Sequence, residues 1–319
     1  MRALIVGAAG FVGKYLIDHL AEAGWDVSAT RLPSESIDTA VPVYELDILE
    51  PSAIGELLGE VGPECVFHLA AQSSVAVSWE RPALTVDVNV KGAVNLLEAV
   101  RGMREPPRVL LIGSGEEYGY VLPDELPIRE DMPLRPGNIY AGTKVVQGML
   151  GQIYARAYGL EIVIVRAFNH AGPGQSDSFV LPDFCKQVAM IEAGFAPPVM
   201  KVGNLEAKRD FTDVRDIVRA YRLLAERGES GVVYNVGSGT AVSVGELLDK
   251  ILLLAKTEIS VEQDSNKIRP SDFPIIEADI SRLRERTGWE QEIMVDITLK
   301  DILEEWRHSL KDMTNIEIM

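Results

Sequence analysis

Tyr140 and Lys144 stand four residues apart in Tyr140-Ala-Gly-Thr-Lys144, so on a helix they share one face. An ordinary phenol keeps its proton to pH ~10. An ammonium on the same face stabilises the phenolate and brings proton transfer closer to neutral pH. Ser114, at the end of an apolar run, offers a hydroxyl that can donate to the same oxygen that Tyr140 protonates. Glu116, two residues on, adds a second acid/base candidate. The chemistry these four describe is proton delivery to a carbonyl or alcohol oxygen. A lone Tyr-x-x-x-Lys is common on surface helices, so the surrounding elements must carry the argument.

A hydride carrier is implied at the other end of the chain. Gly-Ala-Ala-Gly-Phe-Val-Gly at 7–13 follows an apolar run at 3–6 and opens a helical pattern at 11–23. Gly7 permits a tight turn, Gly10 lets backbone approach a pyrophosphate, and Gly13 lets the helix pack close to the sheet. Phe11 and Val12 complete the loop, and the helix N-terminus faces the anion with free N–H groups. A carboxylate after the second strand would select NAD through the ribose 2′-hydroxyl. This strand ends instead in Ala29-Thr30-Arg31, and a cation there suits a 2′-phosphate. NADP is therefore the expected cofactor, with NAD as the alternative. Asp47 and Ile48 are candidates to bracket the adenine. Leu69, Ala70 and Ala71 end a buried strand with small residues where a flat cofactor can lie; His68 before them reads as a satisfied core residue. No metal is assigned.

The elements that must position these groups alternate strand and helix. Strands are expected at 26–30, 65–69, 109–112 and 162–165, and a long helix through 88–101. Short apolar runs between amphipathic helices predict a doubly wound parallel sheet, a Rossmann α/β fold, covered on both faces. After residue 168 turn signals multiply (Gly172-Pro173-Gly174, Ala196-Pro197-Pro198). A helix at 212–226 and a strand at 232–236 are placed to rejoin the first sheet. The expected division is 1–168 with 212–238 as a cofactor domain, and 169–211 with 239–319 as a smaller, interrupted α/β substrate lobe. Helices at 243–256, capped by Ser243 with Glu246, and at 298–310 belong to that lobe.

The chain has 319 residues, 47% hydrophobic and 25% charged, as an ordinary globular protein does. Its net charge of −17 repels nucleic acid and anionic membrane, so neither is an expected partner. An anionic ligand must then be held by local Lys, Arg and backbone N–H groups. Two cysteines make no disulfide framework. The N-terminus lacks a secretory pattern and no apolar run reaches membrane-spanning length, so the expected compartment is the cytoplasm.

Gly-Ala-Ala-Gly-Phe-Val-Gly, His68-Leu-Ala-Ala71, Ser114 before Tyr118-Gly119, and Tyr140-Ala-Gly-Thr-Lys144 resemble the extended short-chain dehydrogenase/reductases over nearly the whole chain. Two later segments, Arg166-Ala-Phe-Asn-His-Ala-Gly-Pro-Gly-Gln175 and Val202 to Asp213, resemble the branch acting on GDP-mannose derivatives. The resemblance implies a catalytic Ser114, Tyr140 and Lys144, with Asn169 near the sugar–phosphate. It also implies Arg209 and Arg269 on the pyrophosphate, and Asp272 on the guanosine ribose. The implied partner is a GDP-sugar, and the implied assembly a homodimer through helices near 88–101 and 140–157. The implied reaction is NADPH-dependent reduction of a 4-keto-6-deoxy GDP-sugar, with 4,6-dehydration of GDP-mannose as the alternative. Glu116 matches a dehydratase base. Against dehydration, no Arg-rich run follows Asn169-His170, and Arg209 is followed by Asp-Phe-Thr-Asp rather than a Trp-containing sequence. Gly115 stands where a second hydroxyl residue is common, and Thr143 where Ser is usual.

Overall fold

The computed structural model describes residues 1–264, 267 and 274–317. Arg269 and Asp272 lie outside the described residues.

The first half of the chain lays down β1 (Arg2–Val6), α1 (Phe11–Glu22), β2 (Asp26–Arg31), β3 (Val43–Glu45), α2 (Pro51–Val61) and β4 (Cys65–His68). Two short helices, α3 (Val75–Glu80) and α4 (Pro82–Val86), lead through a π-helical turn (Asp87–Lys91) into α5 (Gly92–Arg101). Then follow β5 (Arg108–Ser114), a 3-10 turn (Gly115–Tyr118), α6 (Ile139–Tyr158) and β6 (Ile162–Ala167). Successive side chains on a strand point to opposite faces. In β1, Ala3 and Ile5 enter the apolar cluster under α1, while Leu4 and Val6 enter the cluster under α2 and α5. A strand buried on both sides reads as a continuous apolar run, which is why β1, β4, β5 and β6 were visible in the sequence while the three-residue, partly exposed β3 was not.

The remainder adds β7 (Asn169–Ala171), α7 (Val180–Glu192), β8 (Val199–Val202), β9 (Lys208–Asp213), α8 (Val214–Arg227) and β10 (Val233–Val236). It closes with β11 (Ala241–Ser243), α9 (Val244–Leu253), β12 (Ser260–Gln263), β13 (Ile275–Ile276), α10 (Ser281–Thr287) and α11 (Val295–Glu317). The main sheet has seven strands in the order β10-β6-β5-β4-β1-β2-β3. All its neighbours run parallel, with Ile5 opposite Phe67 and Ser114 opposite Ala167. The chain winds outward from β1 through β2 and β3, then returns to β4 on the other side. That reversal opens a crevice at the carboxyl ends of β1 and β4, where doubly wound sheets bind ligands. A smaller sheet gathers β7, β11 and β13 around β9, and β8 pairs with β12. A separate apolar cluster joins α7, α9 and α11.

Three differences from the sequence reading have local causes. The helix expected from residue 88 begins as a widened turn because Asn89 is turned inward, bonded to the Gln72 backbone N–H (2.8 Å) and carbonyl (3.0 Å) and to the Thr143 hydroxyl (2.9 Å). α7 was not anticipated; it carries Pro182 in its first turn, where a missing N–H costs the helix nothing. The closing helix, expected at 298–310, runs from Val295 to Glu317.

Candidate active site

The glycine loop is built on contacts that exclude side chains. Gly7 has φ +83°, and a Cβ there would stand 2.5 Å from Ala70 Cα. A Cβ on Gly13 would fall 2.1 Å from the Ala8 carbonyl oxygen. The close approach at Gly13 is thus to the loop's own backbone, not to the sheet as expected. Gly10 is different: nothing comes closer than 3.9 Å to its Cβ position, and it precedes α1 without a side-chain cap. The open space before those first N–H groups fits a pyrophosphate. Thr30 fastens the loop, accepting the Gly7 N–H at its hydroxyl (3.0 Å) and the Ala8 N–H at its carbonyl (2.8 Å).

A single cavity of about 1160 Å³ runs from this loop to the second sheet. Phe11, Val12, Arg31, Asp47, Ile48, Leu69, Ala70 and Ala71 line one part of it, with the three loop glycines. Ser114, Glu116, Tyr140 and Lys144 line its middle, and Asn169 and Arg209 its far wall. The residues present fit a dinucleotide: a bare helix start, a flat floor of small residues, and a cation at the end of β2. The Arg31 guanidinium is anchored to the Leu32 and Glu35 carbonyls (3.0 and 2.8 Å) and to Glu45 (2.9 Å). It is therefore held at the mouth rather than swinging in solvent.

Ser114 ends β5, and its hydroxyl accepts the Glu116 N–H (3.2 Å) as the cap of the 3-10 turn. The same hydroxyl lines the cavity beside the Tyr140 phenol. α6 brings Tyr140 into place; its N-cap is Asn138, which accepts the Ala141 N–H at 2.8 Å. Asn138 also donates to the Glu116 carboxylate (3.1 Å), fixing the second acid/base candidate half-buried in the wall. Gly115 is explained by Phe168, whose ring a Cβ at 115 would press at 3.2 Å. Thr143 accepts from Asn89 and donates to the Tyr140 carbonyl (2.7 Å), so a hydroxyl at this position ties α6 to the π turn.

Lys144 departs from expectation. Its ammonium donates to the Ile112 carbonyl (2.8 Å) and to Gln147 Oε1 (3.1 Å). Burial lowers its pKa to about 8, against the pull of Glu117. Tyr140 is not brought down by this ammonium. Burial pushes its phenol well up, the Ser114 hydroxyl opposes, and Glu117 and Glu116 add to the rise. His68 is in the core as expected, 1% exposed, but it is not satisfied: neither ring nitrogen has a partner among the described residues. Burial and the nearby Lys144 hold it neutral, at about 3.

Asn169 and Arg209 come together because β7 pairs with β9, Asn169 opposite Phe211. The sequence reading passed over other groups at the cavity. His170 stacks on Phe11 with planes 6° apart, and Tyr221 of α8 lines the same cavity as Tyr140. Asp183, Asn204 and Lys267 line the distant end. Nothing in their spacing separates them from ordinary loop residues. Among the described residues no group of His, Cys, Asp and Glu is placed to hold a metal, and no helix is long and apolar enough to cross a membrane.

Comparison with known proteins fits this geometry. The family model described as GDP-mannose 4,6 dehydratase matches residues 4–302. The GDP-6-deoxy-D-mannose reductase of Pseudomonas aeruginosa is 34% identical over 98% of this chain and 99% of its own. A GDP-mannose 4,6-dehydratase of Vibrio cholerae is 27% identical over 97% and 96%. Among solved structures, RMD from Pseudomonas aeruginosa complexed with NADPH superposes with a TM-score of 0.87 at 34% identity, covering 97% of this chain and 99% of that one. The chain belongs to the GDP-mannose 4,6 dehydratase family, within the extended short-chain dehydrogenase/reductases.

Proposed function

We propose that the protein reduces the C4 keto group of GDP-4-keto-6-deoxy-D-mannose to give GDP-D-rhamnose, with NADPH as reductant. The observation that carries this is the convergence of Ser114, Tyr140 and Lys144 on one cavity that also holds the glycine loop and Arg31. The reductase from Pseudomonas aeruginosa, similar along its full length, supports the substrate.

NADPH, when bound, supplies the hydride that reaches C4. Ser114 donates a hydrogen bond to the C4 oxygen, and Tyr140 delivers the proton that oxygen needs. Burial keeps Tyr140 protonated at neutral pH, so the proton is present when negative charge develops. Lys144, at about 8, is largely an ammonium at neutral pH and holds the ribose of the nicotinamide. Asn169 holds the sugar–phosphate end and Arg209 the pyrophosphate; on the resemblance alone, Arg269 joins Arg209 there and Asp272 holds the guanosine ribose. Enclosure between the two sheets orients the sugar and excludes water.

The division into a cofactor domain (1–168, 212–238) and a substrate lobe (169–211, 239–319) is part of this reading. β10 and α8, which pack on β6 and α1, support it. We assign the protein to the cytoplasm as a homodimer. Two buried free thiols accord with a reducing compartment. Val146, Met149 and Ile153 form an exposed apolar stripe on α6 that suits a second copy.

Glu116 favours one second reading, a 4,6-dehydratase in which it acts as base and the cofactor is regenerated in place. Incubation with NADPH and either GDP-mannose or its 4-keto-6-deoxy derivative separates the two. Loss of NADPH absorbance with the keto sugar supports reduction; consumption of GDP-mannose without NADPH loss establishes the dehydratase instead.

A further inference from the structure

Behind the wall formed by Ser114, Tyr140 and Lys144 lies a carboxylate that the proposed reaction does not use. Glu117 sits in the turn after β5 with no exposed side-chain surface. Its Oε1 accepts the backbone N–H of Ser114 at 2.9 Å. Its Oε2 accepts from Arg166 Nε at 2.8 Å. Arg166 lies over the Tyr118 ring, 4.8 Å from the centroid, and donates to the Tyr118 hydroxyl (2.9 Å) and the Glu130 carbonyl (3.2 Å). Gly113 leaves room for the carboxylate, and Gly148 lies beside it. A Cβ on Gly113 would stand 2.3 Å from Oε1, and one on Gly148 would stand 3.8 Å from Oε2. Gly148 is one turn beyond Lys144 on α6, so that face of the helix presents both to the same space. Lys144 is bonded to the Ile112 carbonyl, two residues before Ser114. The ammonium and the carboxylate therefore grip the same strand end.

A buried ion pair is a poor source of stability, because apolar residues of similar volume do as well. Its placement here argues for a different role. We propose that Glu117 is a positioning residue: held by Arg166, it fixes the Ser114 backbone and supplies the buried negative charge that keeps Lys144 an ammonium. The role rests on the catalytic reading of Ser114, Tyr140 and Lys144 given above. The groups facing Lys144 are Glu117 from the turn, His68 from β4 and Tyr140 on its own helix. His68 is neutral and Tyr140 protonated at neutral pH, which leaves Glu117 as the charge. Burial raises the Glu117 carboxyl, and Arg166 and the Ser114 N–H oppose that rise.

Two variants test this, Glu117→Gln and the double Glu117→Gln/Arg166→Gln, which leaves no unpaired guanidinium. NADPH affinity is followed by fluorescence from about pH 6 to about pH 10, with kcat profiles alongside. Wild-type binding is expected to weaken above pH 8 as Lys144 loses its proton. Both variants should move that limb down by about one pH unit. A limb that stays in place in both, or moves only in the single variant, overturns the proposal. So does wild-type binding that does not change with pH, or a double variant that fails to fold, since the pair is then structural. A wild type that binds NADPH yet reduces no keto sugar counts against the catalytic reading, while the binding titration still reports on Glu117.

Discussion

At the scale of single residues, the site depends on one phenol and one ammonium in unequal environments. Tyr140→Phe keeps the ring and removes the proton. Turnover should fall by about 10²–10⁴-fold with NADPH affinity retained; near-normal turnover in a steady-state assay refutes the assignment. Lys144 carries a stability cost that can be read from pH. Its pKa falls from 10.5 to about 8 on folding, so the unfolded chain binds the proton more tightly. The cost is full below pH 8 and fades as pH rises toward the unfolded value. Lys144→Met should therefore raise folding stability near neutral pH, by on the order of 1–3 kcal/mol, and the gain should shrink toward pH ~10. Urea denaturation at both pH values checks the sign. A residue kept at such a cost is retained for activity rather than stability.

At the scale of elements, α6 and the β5 turn meet through Asn138. Asn138→Ala removes the N-cap at 2.8 Å and the bond to Glu116 at 3.1 Å. The expected loss is about 1 kcal/mol in thermal unfolding. Asn138→Ser should recover most of that stability, because serine caps, without recovering the hold on Glu116. What the sequence disclosed follows the same division. The glycine loop and the Tyr140–Lys144 pair were legible because each is a local pattern with a fixed spacing. The long buried strands were legible as apolar runs. Glu117 was not, since its partner Arg166 is 49 residues away and a buried carboxylate looks like any surface glutamate. The direction of the Lys144 ammonium was misread for a similar reason: the Ile112 carbonyl competes for it, and main-chain acceptors leave no trace in residue identity. β7, β11 and β13 span two or three residues, too few for alternation to show.

At the scale of the whole molecule, the exposed stripe Val146, Met149 and Ile153 recurs at helical spacing on α6, the helix that also carries Tyr140 and Lys144. Met149→Glu with Ile153→Glu should convert the proposed homodimer to a monomer in sedimentation equilibrium. An unchanged mass would remove this face from the interface. The main sheet has one more property. β10 is one of its two edge strands and pairs only with β6, yet residues 168–232 stand between the end of β6 at Ala167 and the start of β10 at Val233. As the chain leaves the ribosome, β6 must wait with a bare edge while β7, α7, β8, β9 and α8 are made. Such an edge is a template for pairing with neighbouring chains. Misassembly in the cell is therefore most dangerous in that interval of translation, and a nascent chain halted there is the form that a chaperone would need to shield.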